Sequence, residues 1–403
     1  MNLVAKLFDR TLKKGGIILI DSSGKKFICG RPDKKKPITV KLLKKNLNWK
    51  IILNADLAFP EGYINGDLII ENASLAEFLN LIFKNVGRKE ITFTTHVVKR
   101  LLHFWRFISN YNLPGKSKKD VQHHYDVGGA KGEKLYDIFL DEIHRQYSCA
   151  YFKNSNENLE EAQQNKIDHI IKKLDIKPGQ KILDIGCGWG GLAFEIAKQK
   201  KCQVTGISLS HNQINYCKKK SKEKNLDNQV NFELIDYRLI RGKFDRIVSV
   251  GMLEHIGKKF YKTFFKKIHD LLKDDGISLV HTIGSIDHQQ LTAPFIQKYI
   301  FPGGIVPSLS DLITPIEKTG LIANDIETMI RHYDKTLELW LQRFNNRKSE
   351  VKDMFDEKFV KMWEFYLASC ASAFKYRDLV VFQLQLVKSF DSIPSNRRDY
   401  IYS

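Results

Sequence analysis

The chain is expected to fold as an α/β protein: a doubly wound, mainly parallel sheet with helical insertions, preceded by a smaller N-terminal α+β domain. Three observations lead there. From Lys181 onward, short apolar runs and amphipathic stretches alternate as repeated βα units require. At the head of that alternation, Lys181–Gly191 reads Lys-Ile-Leu-Asp-Ile-Gly-Cys-Gly-Trp-Gly-Gly, an apolar strand broken by glycines. A strand, a glycine turn and a helix in that order place a ligand at the carboxyl edge of an open sheet, where side chains would block close backbone approach. Third, residues 1–119 carry +14 of the formal +19 charge, so the chain divides into a basic part and a nearly neutral one.

The basic part is uneven. Residues 1–50 hold 14 Lys/Arg against 3 Asp/Glu, residues 51–83 hold only acids, and residues 84–119 are basic again. Short β-like runs (Gly16–Ile20, Ile38–Val40) mix with amphipathic helices, and Phe59-Pro-Glu-Gly-Tyr-Ile-Asn-Gly-Asp leads through a turn into a strand. In 94–108, Val97, Val98, Leu101, Leu102, Phe104, Trp105, Phe107 and Ile108 interleave with Lys99, Arg100, His103 and Arg106. Such a helix suits a lipid interface, and a helix packed between domains fits the spacing equally. The charge implies an anionic partner, nucleic acid or acidic membrane, or else simply a solvated basic face. The expected domains are 1–109, a linker 110–121 rich in Gly, Pro and charge, and a catalytic domain 122–403.

Within the catalytic domain, helices are expected over 136–146 and 160–174. The alternation then runs strand 181–185, helix 190–200, strand 202–207, helix 211–225, strands 230–235 and 244–250, helix 258–273 and strand 277–283. Residues 284–320 are expected to be helical with a break at Phe301-Pro-Gly-Gly, and 326–333 to form a sixth strand. Residues 337–374 follow as helix, and 379–387 has the β-branched character of a last strand. The insertions 284–320 and 334–375 would roof the site.

Gly186, Gly188 and Gly191 satisfy G-x-G-x-x-G, which fits a dinucleotide, yet the second strand ends in Ser208-Leu-Ser-His-Asn-Gln213 with no carboxylate for a ribose. Asp184 before the first glycine suits a cationic ligand such as S-adenosylmethionine, and the turn alone leaves both open. Glu254 and His255 end the 244–250 strand at the same edge, and His281 ends the next. The six cysteines are scattered without a C-x-x-C pair, indicating neither a metal site nor a disulfide framework and suiting a reducing cytosol. No signal peptide opens the chain, and no apolar run approaches the roughly 20 residues that span a bilayer.

His124-Tyr-Asp, Tyr147-Ser-Cys-Ala-Tyr-Phe, Leu183-Asp-Ile-Gly-Cys-Gly-Trp-Gly, Gly206-Ile-Ser-Leu-Ser-His-Asn-Gln, Gly251-Met-Leu-Glu-His-Ile-Gly, His281-Thr-Ile, Phe301-Pro-Gly-Gly, His332-Tyr-Asp-Lys-Thr-Leu and Cys370 occur in this order over about 280 residues. Together they resemble the cyclopropane-fatty-acyl-phospholipid synthases, the family that includes the mycolic acid cyclopropane synthases. The resemblance implies a class I S-adenosylmethionine-dependent methyltransferase fold and methylene transfer to the cis double bond of a phospholipid acyl chain. It also implies a carbocation intermediate and proton abstraction by a bound bicarbonate.

The positions this family pattern assigns to catalysis are Glu254, His281, Tyr333 and Cys149, with Cys370 as a wall of the acyl pocket. Those assigned to the cofactor are Tyr147, Ser148, Asp184, Gly186, Cys187, Gly188, Ser208, Leu209, Ser210, Gln213, Tyr237 and Arg238, with Ser208 and Gln213 standing in for the missing ribose acid. No metal is implied. The expected setting is cytoplasmic, peripheral on the inner face of an anionic membrane, with phospholipids as partners and no nucleic acid. The N-terminal domain serves either docking or homodimerisation. Other readings are fatty-acyl C-methylation without ring closure, nucleic-acid methylation, for which the polar-Pro-Pro-aromatic flag is replaced by Gly251-Met-Leu-Glu-His, and membrane binding without catalysis.

Overall fold

A computed structural model describes residues 2–88, 130–287 and 290–402. The described residues divide into two compact units. The first takes those of Met1–Asn110 with Thr292–Pro302 and Leu337–Asp378; the second takes those of Tyr111–Leu291 with Gly303–Thr336 and Leu379–Ser403. The basic aromatic stretch 94–108, the linker 110–121 and the His124-Tyr-Asp motif lie outside the described residues.

In the first unit, β1 (Gly16–Ile20), β2 (Lys26–Gly30), β3 (Thr39–Leu42) and β4 (Leu68–Glu71) form a sheet in the order β2-β1-β3-β4. Around it stand α1 (Leu3–Thr11), α2 (Lys45–Ile64) and α3 (Leu75–Val86). α3 opens on a capping box in which Ser74 and Glu77 satisfy each other's backbone N–H groups. α2 is kinked at Asn54, whose φ and ψ are −154° and 78°. Phe59, expected in a turn, lies in its second half and stacks on Phe78 at 5.2 Å.

The second unit is built on a seven-stranded sheet. Its strands are β5 (Lys181–Ile185), β6 (Gln203–Ser208), β7 (Val230–Leu234), β8 (Phe244–Val250), β9 (Leu272–Ser285), β12 (Ile322–Met329) and β13 (Leu379–Val387), in the order β12-β13-β9-β8-β5-β6-β7. The five strands from β9 to β7 are parallel, and β13 and β12 join antiparallel at the far edge. Helix α4 (Ala130–Phe139) ends well before the expected limit at Gln146, and 140–148 is irregular chain, whereas α5 (Leu159–Lys173), α6 (Gly191–Lys200), α7 (His211–Glu223) and α8 (Tyr261–Leu271) fall where they are expected.

The strand period of two sorts the core into two layers. Ile182 packs with Ile167, Ile170 and Ile171 of α5 and with α6 and α7, while Leu183 and Ile185 pack with Phe264, Phe265 and Ile268 of α8. Asp184 therefore points to the α5 side. Gly191 admits no side chain, because a Cβ there would run into the His144 carbonyl, and so the loop before the sheet can lie directly against the first turn of α6.

Three expectations differ from the structure. Residues 284–320 are not a helical roof: β9 runs to Ser285, and a β10 (Gln290–Leu291) to β11 (Ile305–Val306) pair brackets α9 (Pro294–Tyr299) before α10 (Leu309–Glu317). The sixth strand ends at Met329, so Tyr333 stands in the first turn of α11 (His332–Asn346). The positive φ of Arg331 makes the corner between them.

Third, α12 (Lys348–Met354) and α13 (Glu357–Tyr376), expected within the catalytic domain, group with the N-terminal residues. The cause is in their contacts. Phe365 packs on Phe59 and Tyr63, the Tyr63 hydroxyl donates to Glu364 at 2.9 Å, and Ser372 donates to Asn80. From α9, Lys298 and Tyr299 both reach Glu61. Apolar stripes of α2, α3 and α13 thus bury one another, a pairing across 300 residues that local periodicity cannot show.

One buried ionic cluster ties the sheet edge to its helical layer. Lys173, fully buried, contacts Glu327 at 2.6 Å and Asp325 at 3.2 Å on β12, and the His169 ring meets Glu327 at 2.7 Å. Burial opposes the Glu327 charge, but the His169 hydrogen bond and Lys173 hold the carboxyl down to about 2. Removing one partner of a buried pair strands the other, so K173M is expected to lower unfolding stability by about 3 kcal/mol, measured by denaturant titration.

Candidate active site

At the carboxyl edge of β5, β6 and β8 a cavity opens beneath the glycine turn. It is lined by eleven of the twelve expected cofactor residues: Tyr147, Ser148, Asp184, Gly186, Cys187, Gly188, Ser208, Leu209, Gln213, Tyr237 and Arg238. Ser210 is not among them. It is buried as the N-cap of α7, where its hydroxyl accepts from the Gln213 N–H.

The cavity wall holds three buried polar atoms without a hydrogen-bond partner: Asp184 Oδ2, Trp189 Nε1 and the Tyr237 hydroxyl. Buried polar groups are almost always satisfied, so two donors and an acceptor left open around one cavity mark it as built for a polar ligand. Burial pushes the Asp184 carboxyl up to about 7 against the pull of Lys166, and it raises Tyr237 to about 12. At the β6 end, the Ser208 hydroxyl donates to Gln213 Oε1 at 2.8 Å and accepts from the Ser210 N–H, so Ser208 and Gln213 act as one fixed pair.

Several lining residues are not among the expected cofactor positions. Arg145 closes one side, its guanidinium 4.1 Å from the Trp189 ring and 4.6 Å from Tyr216. Asp236, the residue before Tyr237, holds Arg238 through two hydrogen bonds of 2.8 and 2.6 Å. An acid two residues after the third strand is the signal that would have found it. Gln146, Met252, His255, Ile256 and Phe260 complete the wall, and burial holds the His255 imidazole neutral, down to about 4.

The expected catalytic residues lie outside this lining. Glu254 follows the end of β8, and His281, expected to end its strand, lies four residues inside β9, which continues to Ser285; the Gly251 N–H donates to the His281 carbonyl at 2.9 Å, and Glu254 Oε1 accepts from the Ile283 N–H at 2.5 Å. Glu254 Oε2 has no partner, and burial raises its carboxyl. His281 accepts at Nδ1 from the Gln383 side-chain amide at 3.2 Å, which leaves its proton on Nε2, and burial keeps the ring neutral, down to about 3. The Tyr261 hydroxyl, sensitive to the Glu254 charge, is a further buried group without a partner.

Cys149 and Tyr333 lie on two segments that are held together by their neighbours. The Ala150 N–H donates to Thr336 Oγ1 at 3.1 Å, the Phe152 N–H donates to His332 Nδ1 at 3.0 Å, and Tyr151 stacks on the His332 and His169 rings. The first turn of α11 thus grips 149–152 on either side of Tyr333. Cys149 is fully buried and its thiol is pushed far up by desolvation, which makes it a neutral packing group. Cys370 belongs to the first unit, on α13, with its thiol pushed up to about 12 by burial. Among the described residues, no cluster of His, Cys, Asp or Glu has the makings of a metal site, and no helix is long and apolar enough to cross a membrane.

Residues 114–384 match the family described as mycolic acid cyclopropane synthetase. The chain belongs to the cyclopropane synthase family. It is 40% identical over 276 residues to the cyclopropane-fatty-acyl-phospholipid synthase of Escherichia coli K12, covering 68% of this chain and 69% of that relative. The solved structure of the cyclopropane synthase MmaA2 from Mycobacterium tuberculosis superposes with a TM-score of 0.63 at 34% identity over 67% of this chain and 97% of that one. Mycolic acid cyclopropane synthase CmaA1, complexed with SAH and CTAB, gives 0.62 at 31% identity, again over 67% and 97%. This member of the family is an S-adenosylmethionine-dependent methyltransferase.

The neutral histidines carry a measurable consequence. His281 and His255 have folded values of about 3 and about 4 against an ordinary 6.5. Above 6.5 neither state binds the proton and their full stability is present; as pH falls below it, only the unfolded chain takes the proton up and stability is lost. The melting temperature is expected to fall between about pH 6.5 and 4, and to fall less in H281N measured by the same scan.

Proposed function

We propose that this chain transfers a methylene unit from S-adenosylmethionine to the cis double bond of an acyl chain in a membrane phospholipid, forming a cyclopropane ring. The observation that carries this reading is a division of labour. One cavity has open polar partners for a cationic cofactor, while a separate pair, Glu254 and His281, is dry, mutually positioned and left with one uncommitted carboxylate oxygen.

When bound, S-adenosylmethionine supplies a strongly electrophilic methyl group. Asp184 suits its positive charge, Ser148 and Tyr147 its polar amino-acid end, and the Ser208–Gln213 pair the sugar hydroxyls that a carboxylate serves in other folds. An alkene is a poor nucleophile, so the residues act chiefly by alignment and by keeping water away. Met252, Ile256 and Phe260 line the cavity beside Glu254 and exclude water there.

Bicarbonate is the base we assign to ring closure. The open Glu254 Oε2, the Nε2–H of His281 and the hydroxyl of Tyr261 are buried groups able to hold a small oxyanion, with Tyr333 and the backbone at Cys149 as further contacts. His281 serves best uncharged, since an imidazolium would repel a cationic intermediate. Cys370 serves as acyl wall, and a related outcome, methylation without ring closure, differs only in how the cation is quenched.

The substrate sits in a bilayer, and the first unit has a surface suited to one. Leu43, Trp49 and Leu53 are 52, 62 and 65% exposed among Lys44, Lys45 and Lys50, with Trp49 and Leu53 one helical turn apart on α2. Apolar anchors within a lysine cluster fit an anionic headgroup layer, and we place the enzyme peripherally on the cytoplasmic face.

Expression in a bacterial host followed by lipid mass spectrometry and proton NMR tests the chemistry. The expected result is gain of one CH₂, loss of the alkene and new high-field ring protons; unchanged lipids would remove the proposal. E254Q is expected to lower ring formation by roughly a hundredfold while cofactor binding is retained. Vesicle flotation tests the docking: binding is expected to need anionic lipid, to weaken with salt and to drop when Trp49 and Leu53 are both replaced by Ser.

A further inference from the structure

Lys166 lies on α5, fully buried behind the cofactor cavity rather than in its wall. A lysine is almost never buried this way without a task that answers its desolvation. Its Nζ donates to Gln146 Oε1 and to Ser148 Oγ, the latter at 3.0 Å. Ser148 is itself 8% exposed, and its backbone carbonyl is held by Gln163 Nε2 at 2.9 Å, which fixes the main chain from which the hydroxyl meets Lys166.

Hydrogen-bond polarity then follows from chemistry alone. An ammonium has three protons and no acceptor, so a hydroxyl bonded to it must accept. The single hydrogen of Ser148 is thereby freed to be given elsewhere, and Ser148 lines the cavity. The same contact fixes the Gln146 amide with its oxygen toward the lysine and its nitrogen donating to the His144 carbonyl at 3.3 Å.

The charge acts on a second wall residue. Against the cost of burial, Lys166 is the charge that favours the ionised form of Asp184. The titratable groups around the ammonium are Asp141 and Asp184, whose carboxylates favour its charge, Cys149, whose thiol is held neutral by burial, and His281, which is kept neutral partly by it. Burial draws the lysine down to about 8, and it remains charged where Asp184 titrates, near 7.

We propose that Lys166 is a positioning residue for the cofactor: it makes Ser148 a hydrogen-bond donor toward the carboxylate end of S-adenosylmethionine, and from α5, the side to which Asp184 points, it sets a positive charge behind the carboxylate that faces the cationic end. The cofactor's amino-acid moiety, carrying one carboxylate and one ammonium, is the part recognised. The proposal rests on the reading of the cavity as the S-adenosylmethionine site.

Calorimetric titration of S-adenosylmethionine into the full chain between about pH 6 and 9 tests it, using wild type, K166M and K166R, with circular dichroism to confirm folding. Wild type is expected to bind more tightly as pH rises through about 7 and Asp184 ionises, and to lose part of that gain above about 8 as Lys166 gives up its proton. K166M is expected to bind at least about tenfold more weakly near neutrality and to need a pH about one unit higher for half its maximal affinity. K166R, whose charge is permanent, is expected to keep the wild-type midpoint or a lower one. S148A is expected to cost affinity in wild type and little more in K166M.

Wild-type affinity and pH dependence in K166M would overturn the proposal, as would a loss of the same factor at every pH. Should K166M not fold, K166R decides, and a midpoint above that of wild type overturns it. Failure of the wild type to bind S-adenosylmethionine refutes instead the reading of the cavity.

Discussion

One face of α5 sets the constraints that the second unit obeys. Lys166, His169 and Lys173 lie at helical spacings of three and four residues and are all buried, so each must find its partner inside the protein. Lys166 finds the loop carrying Gln146 and Ser148; His169 and Lys173 find Glu327 and Asp325 on the antiparallel edge strand. A helix that would merely cover a sheet with apolar side chains leaves the pieces around it free to slide. Here two buried charges and an imidazole permit one arrangement of loop, helix and edge strand, because any other leaves a charge without an answer in a medium of low dielectric.

The site follows from that arrangement. Asp184 is carried to the α5 face by the alternation of β5, and the ligand-facing loop is drawn onto α6 by the absence of a side chain at Gly191. On the antiparallel side, β13 gives Gln383, which selects one tautomer of His281, and the strand register sets Glu254 against the Ile283 amide. Cofactor groups and catalytic groups come from different sheet positions. The expected cofactor residues face a cavity with unsatisfied polar atoms, and the expected catalytic pair is buried, with desolvation and nearby positive charge holding its histidine neutral.

The strand and glycine turn at 181–191 were readable in the sequence because their signals are local: a continuous apolar run, glycines where a helix starts, then helical spacing. Eleven positions that the family resemblance assigns to the cofactor line one cavity. What could not be read depended on distant partners. The mixed run Ile326–Tyr333 reads as a strand that would end at Tyr333, and only the left-handed corner at Arg331 ends the strand early. Lys166 and Lys173 look like solvent-facing residues of an amphipathic helix, since their burial depends on a loop 20 residues earlier and a strand about 150 later. Asp236 was passed over because the acid was sought after the second strand rather than the third.

The composition of the first unit bears on how the protein is made. Tyr63 and Glu364 are 301 residues apart, and Asn80 waits for Ser372. A ribosome finishes α2 and α3 long before it reaches α13, so the nascent N-terminal segment emerges ahead of the helix that packs on its apolar flank, while an entire sheet is synthesised in between. Completion of this unit is thus deferred to late translation, and such long-range closure favours slow maturation and a need for shielding by chaperones on the way.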